Sequence, residues 1–125
     1  MDQAFDFQGA RILVVEDDMM IAIMVEDMLA DFGCEVVGPA NTLSLALTMA
    51  SDAVGLTAAI LDVHLGAESV FPLADLLRAQ GVPLIYCTGH AEGGLRDVDR
   101  GCPVLRKPYR ADDLGAALSA ALAAN

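Results

Sequence analysis

The residues with the clearest potential for chemistry stand where short apolar runs of this 125-residue chain end. They are Glu16, Asp17, Asp62, Thr88 and Lys107. Carboxylates brought together repel one another unless a cation lies among them, and oxygen ligands of this kind suit Mg²⁺. A carboxylate nucleophile, a divalent cation, a lysine and a hydroxyl are together the groups that phosphoryl transfer to an aspartate requires. The residue types therefore indicate a phosphoryl-transfer site, provided that the fold brings them together.

The segments that carry these residues alternate between apolar runs and helical stripes. Short apolar runs predict five strands, at residues 12–15, 35–38, 58–61, 82–87 and 103–106. Apolar residues at helical spacing predict five helices, at residues 21–32, 42–51, 69–80, 92–100 and 112–123. Asp18 is expected to cap the first helix, and Gly93 and Gly94 weaken the prediction of the fourth.

Five strand-then-helix units predict an α/β fold with a doubly wound, five-stranded parallel sheet. The strands are continuous apolar runs, as burial of both sheet faces by helices requires. In an open sheet of this kind, the carboxyl ends of the strands lie along one edge, where binding sites form. Four of the five predicted strands deliver a polar or charged residue to that edge. The topology therefore predicts that the chemically active residues meet there.

Length, composition and charge exclude several other classes of protein. A chain of 125 residues is of single-domain size, with residues 1–9 as a lead-in and residues 10–125 as the domain. The net charge of −11 disfavours nucleic-acid binding, and no uncharged apolar run is long enough to span a membrane. The N-terminus lacks a signal-peptide pattern, and three cysteines without a paired motif indicate reduced thiols. We therefore expect a cytoplasmic protein.

Four segments resemble the signature segments of bacterial receiver domains, the phosphoacceptor modules of two-component response regulators. They read Ile-Leu-Val-Val-Glu-Asp-Asp at 12–18, Ile-Leu-Asp-Val-His at 60–64, Cys-Thr-Gly at 87–89 and Lys-Pro-Tyr at 107–109. Each segment is a weak signal by itself, but four of them occur in the order and at the spacing of that family. The resemblance covers nearly the whole chain. It implies a flavodoxin-like sheet of order 2-1-3-4-5 with five helices, similar to a chemotaxis regulator.

The resemblance implies a magnesium site made of four residues. Asp17 matches the acid that binds the metal directly, and Glu16 matches the acid that acts through a water molecule. Asp62 matches the phosphoacceptor, which is also a metal ligand, and the backbone carbonyl of His64 matches the group that completes the site. Mg²⁺ is therefore the expected cofactor.

Thr88 and Lys107 match the remaining members of the family's catalytic set. Thr88 corresponds to the switch hydroxyl and Lys107 to the lysine that neutralises phosphoryl oxygens, and the step from Lys107 to Pro108 is usually cis in the family. One position departs from the pattern. Val104 stands three residues before the lysine, where many receivers carry an aromatic switch residue. The usual inward swing of an aromatic ring therefore cannot operate here.

The function that this resemblance implies is signalling through phosphorylation. A histidine kinase or a phosphotransfer protein would donate its phosphoryl group to Asp62, and the chain would then act through protein contacts. The segment Tyr-Cys-Thr-Gly-His at 86–90 is similar to the Phe-Ala-Thr-Gly-Tyr motif of a subgroup of stand-alone receivers. Members of that subgroup act in bacterial stress signalling as phosphate shuttles or sinks. An adaptor and a receiver excised from a hybrid kinase are the alternatives.

Two other classes of protein share part of this pattern. A phosphatase that forms an aspartyl-phosphate usually places Asp-X-Asp after its first strand, where this chain has Glu16-Asp17-Asp18. A flavodoxin-like cofactor binder would need a glycine-rich first loop, which the sequence lacks. We therefore expect no enzyme activity beyond phosphorylation and dephosphorylation of Asp62 itself.

Met20 and Ile23 lie off the inner stripe of the first predicted helix, beside the candidate site. Apolar residues exposed at this place predict a docking patch for a helix of the kinase or phosphotransfer protein. His64 and His90 are expected at the rim of the same site. Two imidazoles there would make phosphorylation depend on pH near neutrality.

Overall fold

A five-stranded parallel sheet forms the centre of the computed structural model, which describes residues 6–89 and 95–123. The strands in chain order are β1 (Arg11–Val15), β2 (Glu35–Ala40), β3 (Ala58–Asp62), β4 (His64–Leu65), β5 (Glu68–Ser69), β6 (Leu84–Thr88) and β7 (Val104–Arg106). The sheet has the order β2-β1-β3-β6-β7, and all neighbours in it are parallel. The short strands β4 and β5 form a separate hairpin, so the fourth and fifth strands of the predicted sheet are β6 and β7. The predicted order 2-1-3-4-5 is therefore confirmed.

Helices cover both faces of the sheet. They are α1 (Met19–Asp31), α2 (Leu43–Asp52), α3 (Phe71–Ala79) and α4 (Ala111–Ala123). The first two begin at residues whose side chains satisfy free backbone N–H groups of the first turn. Asp18 Oδ1 accepts from the N–H of Met20 at 3.0 Å, and Thr42 Oγ1 accepts from the N–H of Leu45 at 3.1 Å. The predicted cap at Asp18 is therefore confirmed.

Alternate side chains of the central strands enter two separate core clusters, one on each face of the sheet. On β1, Leu13 and Val15 join the cluster under α2 and α3, whereas Ile12 and Val14 join the cluster under α1 and α4. Every residue of β3 and β6 is buried. A strand that is covered on both sides buries both sets of its side chains, which explains the continuous apolar runs that precede Asp62 and Thr88 in the sequence.

The predicted helix at residues 69–80 begins later in the structure, after the hairpin of β4 and β5. The two short strands pair in antiparallel register. Gly66 lies between them with a φ of +59°, a conformation that glycine adopts without steric penalty. Pro72 stands in the first turn of α3, where its missing N–H leaves no hydrogen bond unmade.

Five helices are predicted, whereas the described residues contain four α-helices. The predicted fourth helix, at residues 92–100, falls partly outside the described residues, and so do Gly93 and Gly94. Its described part forms a 3₁₀ turn (Asp97–Asp99) in place of an α-helix.

The buried carboxylate of Asp99 accounts for this turn. Its oxygens accept hydrogen bonds from Tyr86 Oη at 2.7 Å, Arg78 Nη2 at 2.9 Å and Arg96 Nε at 2.8 Å. Burial would raise the pKa of Asp99, but the bonds from Arg96, Tyr86 and Arg78 outweigh it and lower the pKa. A buried carboxylate needs such donors. The 3₁₀ turn places the Asp99 side chain where all three donors reach it.

The described part of the lead-in, residues 6–9, contacts the domain. The ring of Phe7 meets that of Phe32 edge-on, with centroids 5.7 Å apart. The N–H of Phe7 also donates to the carbonyl of Phe32 at 3.0 Å. The chain is therefore joined to the core from Phe7 onward.

Two expectations from composition bear on the described structure. No described helix combines the length and the apolar character needed to cross a membrane.

Cys34, Cys87 and Cys102 carry free thiols, and Cys87 is buried. The expectation of unpaired cysteines is confirmed.

We expect Asp99→Asn to destabilise the fold strongly, because it leaves two guanidinium groups without their buried anion. Removing one partner of a buried ion pair costs about 3–5 kcal/mol, and the free energy of unfolding in urea should fall by that amount. Asp97→Asn is the matched control, since Asp97 lies in the same turn with a side chain that is 94% exposed. The control should change the free energy by less than about 0.5 kcal/mol. Equal losses in the two variants would contradict this assignment.

Candidate functional site

The carboxyl ends of four parallel strands bring the predicted residues together at one edge of the sheet. Glu16 follows β1, Asp62 ends β3, Thr88 ends β6 and Lys107 follows β7. Glu16, Asp62 and Thr88 are buried although each is polar. Because polar side chains are buried stably only with partners, this edge is an organised site and not a solvated rim.

Lys107 connects the two buried acids of the site. Its Nζ lies 2.9 Å from Glu16 Oε1 and 3.0 Å from Asp62 Oδ2. Burial would lower the pKa of Lys107, but its hydrogen bonds to Glu16 and Asp62 outweigh burial and raise the pKa. The lysine therefore stays charged, and one ammonium group holds side chains from β1 and β3 in fixed positions.

Glu16 is held where its charged form is disfavoured. Burial raises the pKa of Glu16 to about 7, although hydrogen bonds from Lys107 and from the N–H of Asp18 oppose the change. The neighbouring carboxyl of Asp62 adds to the increase. The N–H of Asp18 donates to Glu16 Oε2 at 3.0 Å, so the start of α1 also fixes this side chain. Additional positive charge near Glu16 would therefore stabilise its ionised form.

Three carboxylates form a group that fits a divalent cation. One oxygen from each of Glu16, Asp17 and Asp62 lies within 4.8 Å of the other two. Asp17 is exposed and opens the group to solvent, whereas the other two residues are buried. A donor set made only of oxygens fits Mg²⁺, which takes few protein ligands and retains water molecules. The residues present therefore fit the predicted cofactor.

Gly66 contributes to the site but is absent from the predicted residues. Its N–H donates to Asp17 Oδ2 at 2.8 Å, so the turn between β4 and β5 positions the exposed carboxylate. At the start of the same hairpin, the N–H of His64 donates to Asp62 Oδ1 at 3.3 Å. The only feature of the sequence that points to this role of Gly66 is its position shortly after Asp62. Its partner is 49 residues away, and their contact depends on the hairpin.

The remaining predicted residues have mixed outcomes. His64 has an exposed side chain at the first position of β4, and the metal-binding role of its carbonyl stays a prediction. His90 lies outside the described residues. Val104 is 43% exposed on β7, where it pairs with Tyr86 of β6. No aromatic ring therefore stands at the position where many receivers carry one.

Cys87 stands next to Thr88 but does not offer a second nucleophile. Its side chain belongs to the core cluster under α1 and α4, and its Sγ lies 3.7 Å from Tyr109 Oη. Burial raises the pKa of Cys87 to about 12, so the thiol stays protonated at neutral pH. Asp62 is left as the candidate nucleophile of the site.

The outer face of α1 exposes apolar side chains next to the site. Met20 is 74% exposed and Ile23 is 49% exposed, as the predicted docking patch requires. A groove of about 270 Å³ continues this face and is lined by Ile21, Met24, Lys107, Pro108 and Tyr109. The peptide bond from Lys107 to Pro108 is cis, as predicted. Because Lys107 lines the groove and also binds the acids, the apolar surface and the acidic site are contiguous.

Comparisons with known proteins agree with this geometry. No protein-family model matches the chain. The chain is similar to the solution structure of SdrG from Sphingomonas melonis Fr1, with 39% identity over 91% of this chain and 97% of that one, and a TM-score of 0.82. A CheY-like response regulator receiver domain protein from Methanospirillum hungatei JF-1 shares the fold, with a TM-score of 0.80 at 24% identity over 94% and 96% of the two chains. The chain belongs to the family of response-regulator receiver domains.

Two further relatives refine this placement. The BeF3-activated conformation of SdrG from Pseudomonas melonis Fr1 matches with 38% identity over 93% of this chain and 98% of that one, and a TM-score of 0.77. The phyllosphere-induced regulator PhyR from Methylorubrum extorquens is 31% identical over 118 residues, which is 91% of this chain. The chain spans 44% of the length of PhyR. The similarity to PhyR therefore concerns less than half of that protein.

The raised pKa of Glu16 predicts that the fold loses stability as the pH rises from about 5 to about 7 without a divalent cation. In this range the folded state binds a proton at Glu16 and the unfolded state does not, because the ordinary pKa is 4.5. Stability falls with rising pH wherever the folded state binds more protons. The free energy of unfolding, measured in urea with EDTA, should fall by about 2 kcal/mol over the range.

Glu16→Gln removes this titration and should flatten the dependence of stability on pH. Glu26→Gln changes a glutamate of α1 outside the carboxylate group and is the matched control. It should keep the wild-type slope. A Glu16→Gln protein with the same slope as the wild type would show that other groups cause the pH dependence.

Proposed function

We propose that the chain is a phosphoacceptor in which Asp62 receives a phosphoryl group from a histidine kinase or a phosphotransfer protein. The observation that carries the proposal is the buried carboxylate of Asp62, with Lys107 Nζ at 3.0 Å and the carboxylates of Glu16 and Asp17 around it. These are the groups that transfer to an aspartate requires. Similarity to SdrG, which has been solved in a BeF3-activated conformation, supports the proposal because beryllofluoride resembles a phosphoryl group in shape and charge.

Three residues of the strand edge act directly on the phosphoryl group in this proposed transfer: Asp62, Lys107 and Thr88. An oxygen of Asp62 attacks phosphorus, and the bond from phosphorus to the partner's imidazole nitrogen breaks. The electron pair of that bond returns to the imidazole, which takes up a proton from solvent. Lys107 neutralises charge on the phosphoryl oxygens, and the hydroxyl of Thr88 donates to one of them after the transfer.

We propose that Glu16, Asp17 and Asp62 hold Mg²⁺, with the carbonyl of His64 as a further ligand. When bound, the ion supplies positive charge that stabilises the transferring phosphoryl group. Backbone N–H groups of Asp18 and Gly66 keep two of the three carboxylates in place. Two of the three carboxylates are thus positioned by the residue that caps α1 and by the β4–β5 hairpin.

Intact-mass measurement after treatment with acetyl phosphate tests the acceptor. The wild type should gain one phosphoryl group with Mg²⁺ and almost none with EDTA. Asp62→Asn keeps the size of the side chain and its contact with Lys107 but removes the nucleophilic carboxylate, so the gain should vanish.

Asp52→Asn is the control for this measurement, because Asp52 is an exposed carboxylate at the end of α2. Its phosphorylation should equal that of the wild type. A wild type that gains no mass would sink the proposal, and a gain that persists in Asp62→Asn would move the acceptor to another residue.

We further propose that the chain signals in the cytoplasm through protein contacts, as a shuttle, a sink or an adaptor, and that its phosphodonor docks on the apolar face of α1. Met20 and Ile23 supply exposed apolar surface there. The adjoining groove reaches Lys107. A partner helix on this face would therefore lie within reach of Asp62.

Replacing Met20 and Ile23 together with serine should slow phosphotransfer from the cognate kinase about tenfold or more, since central apolar contacts carry much of the binding energy at an interface. Phosphorylation by acetyl phosphate should not change, because the small donor needs no docking. Val54→Ser is the matched control. Val54 is 79% exposed just before β3, at the opposite edge of the sheet, and this variant should transfer normally. Unchanged transfer to the double variant would refute docking at this face.

A further inference from the structure

The base of the β4–β5 hairpin is fixed to the hydrophobic core. Val63, Leu65 and Val70 are buried in the cluster under α2 and α3. The N–H of Val70 also donates to the carbonyl of Val63 at 3.4 Å, which closes the base of the hairpin. The two residues of its turn, Gly66 and Ala67, are exposed. The core therefore determines where this exposed turn lies.

The turn contacts the carboxylate group through one backbone amide. The N–H of Gly66 donates to Asp17 Oδ2 at 2.8 Å, a short bond from an amide to a charged acceptor. Gly66 has a φ of +59°, and a Cβ added to it would meet no atom within 4 Å. This position therefore needs glycine for its backbone conformation and not for space, because side chains disfavour a positive φ.

Protein donors already occupy both oxygens of the two buried carboxylates. On Glu16, Lys107 Nζ lies 2.9 Å from Oε1, and the N–H of Asp18 donates to Oε2 at 3.0 Å. On Asp62, Lys107 Nζ lies 3.0 Å from Oδ2, and the N–H of His64 donates to Oδ1 at 3.3 Å. Neither carboxylate can therefore bind a metal through both oxygens without losing a hydrogen bond.

Asp17 is the exposed carboxylate of the group, and the N–H of Gly66 occupies one of its oxygens. Binding of an ion through both oxygens of Asp17 would break this bond. Ca²⁺ takes roughly six to eight oxygen ligands and often binds both oxygens of a carboxylate, whereas Mg²⁺ takes an octahedral set and retains water. The choice between the two ions depends on the number and the flexibility of the ligands. Gly66 thus restrains the carboxylate that is least enclosed.

We propose that Gly66 is a positioning residue that gives the carboxylate group a preference for Mg²⁺ over Ca²⁺. Its N–H holds Asp17 so that one oxygen is left for the ion. When the turn is rearranged, Asp17 can offer both oxygens, which favours Ca²⁺. The inference rests on the proposed metal site of Glu16, Asp17 and Asp62, but it does not depend on phosphorylation.

NMR titrations of the isotope-labelled protein with magnesium chloride or calcium chloride test the inference. Shifts of the backbone amide signals of Asp17 and Asp18 give the Kd of each ion, and the wild type should bind Mg²⁺ more tightly. Gly66→Val adds a β-branched side chain that disfavours a positive φ and so moves the N–H away from Asp17. The ratio of the Kd for Ca²⁺ to the Kd for Mg²⁺ should fall about tenfold, because partners of metal ligands typically change affinity by about 10–100-fold.

Two variants separate the hydrogen bond from general backbone strain. Asparagine tolerates a left-handed backbone, so Gly66→Asn should keep the wild-type ratio of the two Kd values. Gly55 also has a positive φ, +73°, with open space around it, but it lies in the loop before β3, at the opposite edge of the sheet. Gly55→Val should therefore lower the free energy of unfolding, as Gly66→Val does, and leave the ratio unchanged.

The outcomes distinguish the inference from the proposed function. A wild-type ratio in Gly66→Val would overturn the inference, and so would an equal fall of the ratio in Gly66→Asn or in Gly55→Val. A wild type that binds Ca²⁺ as tightly as Mg²⁺ would overturn it too. A wild type that binds neither ion would overturn the proposed metal site and the inference with it. A wild type that prefers Mg²⁺ but gains no mass from acetyl phosphate would overturn only the phosphoacceptor proposal.

Discussion

The contact of Lys107 with Glu16 and Asp62 is the interaction on which the strand edge depends. The lysine follows β7 at one side of the sheet, whereas Glu16 follows β1 and Asp62 ends β3, with β6 between β3 and β7. A single ammonium group therefore reaches across the sheet to two buried carboxylates. Without it, two acids would face each other in a site that burial already makes unfavourable for charge. The same contact leaves Asp17 exposed, so the carboxylate group keeps one open side.

The apolar frame makes this arrangement possible. Strands that are buried on both faces cannot shift along one another without exposing apolar side chains or burying polar ones. Their ends are therefore fixed, and so are the polar residues attached to them. β6 is the strand where two polar systems meet, because Thr88 faces the strand-end site and Tyr86 binds Asp99.

The sequence predicts features that depend on neighbouring residues in the chain. It does not predict features that depend on contacts between residues far apart in the chain. Apolar runs that end in an acid, a threonine or a lysine identify the strands and most of the site, because burial on both faces demands those runs. Gly66 escapes prediction because its partner Asp17 is brought close only by the hairpin. The turn at Asp99 escapes it for the same reason. Nothing in the spacing of residues 95–102 shows that Asp99 will be paired with Tyr86 and Arg78, and the segment therefore resembles a helix.

The distribution of charge follows from the same pairing. Three of the seven basic residues, Arg78, Arg96 and Lys107, bind the three buried acids Asp99, Glu16 and Asp62. These charges cancel, so the whole net charge of −11 lies on the remaining residues, most of them exposed.

This surface has consequences for any partner. A strongly acidic surface raises the local concentration of cations near the open carboxylate of Asp17. On α1, two acidic residues, Asp27 and Asp31, are exposed after the apolar patch. A helix that docks on Met20 and Ile23 therefore meets apolar surface next to the site and negative charge farther along. In such a complex, apolar contact would supply affinity, while the charge would favour a partner whose facing residues are basic.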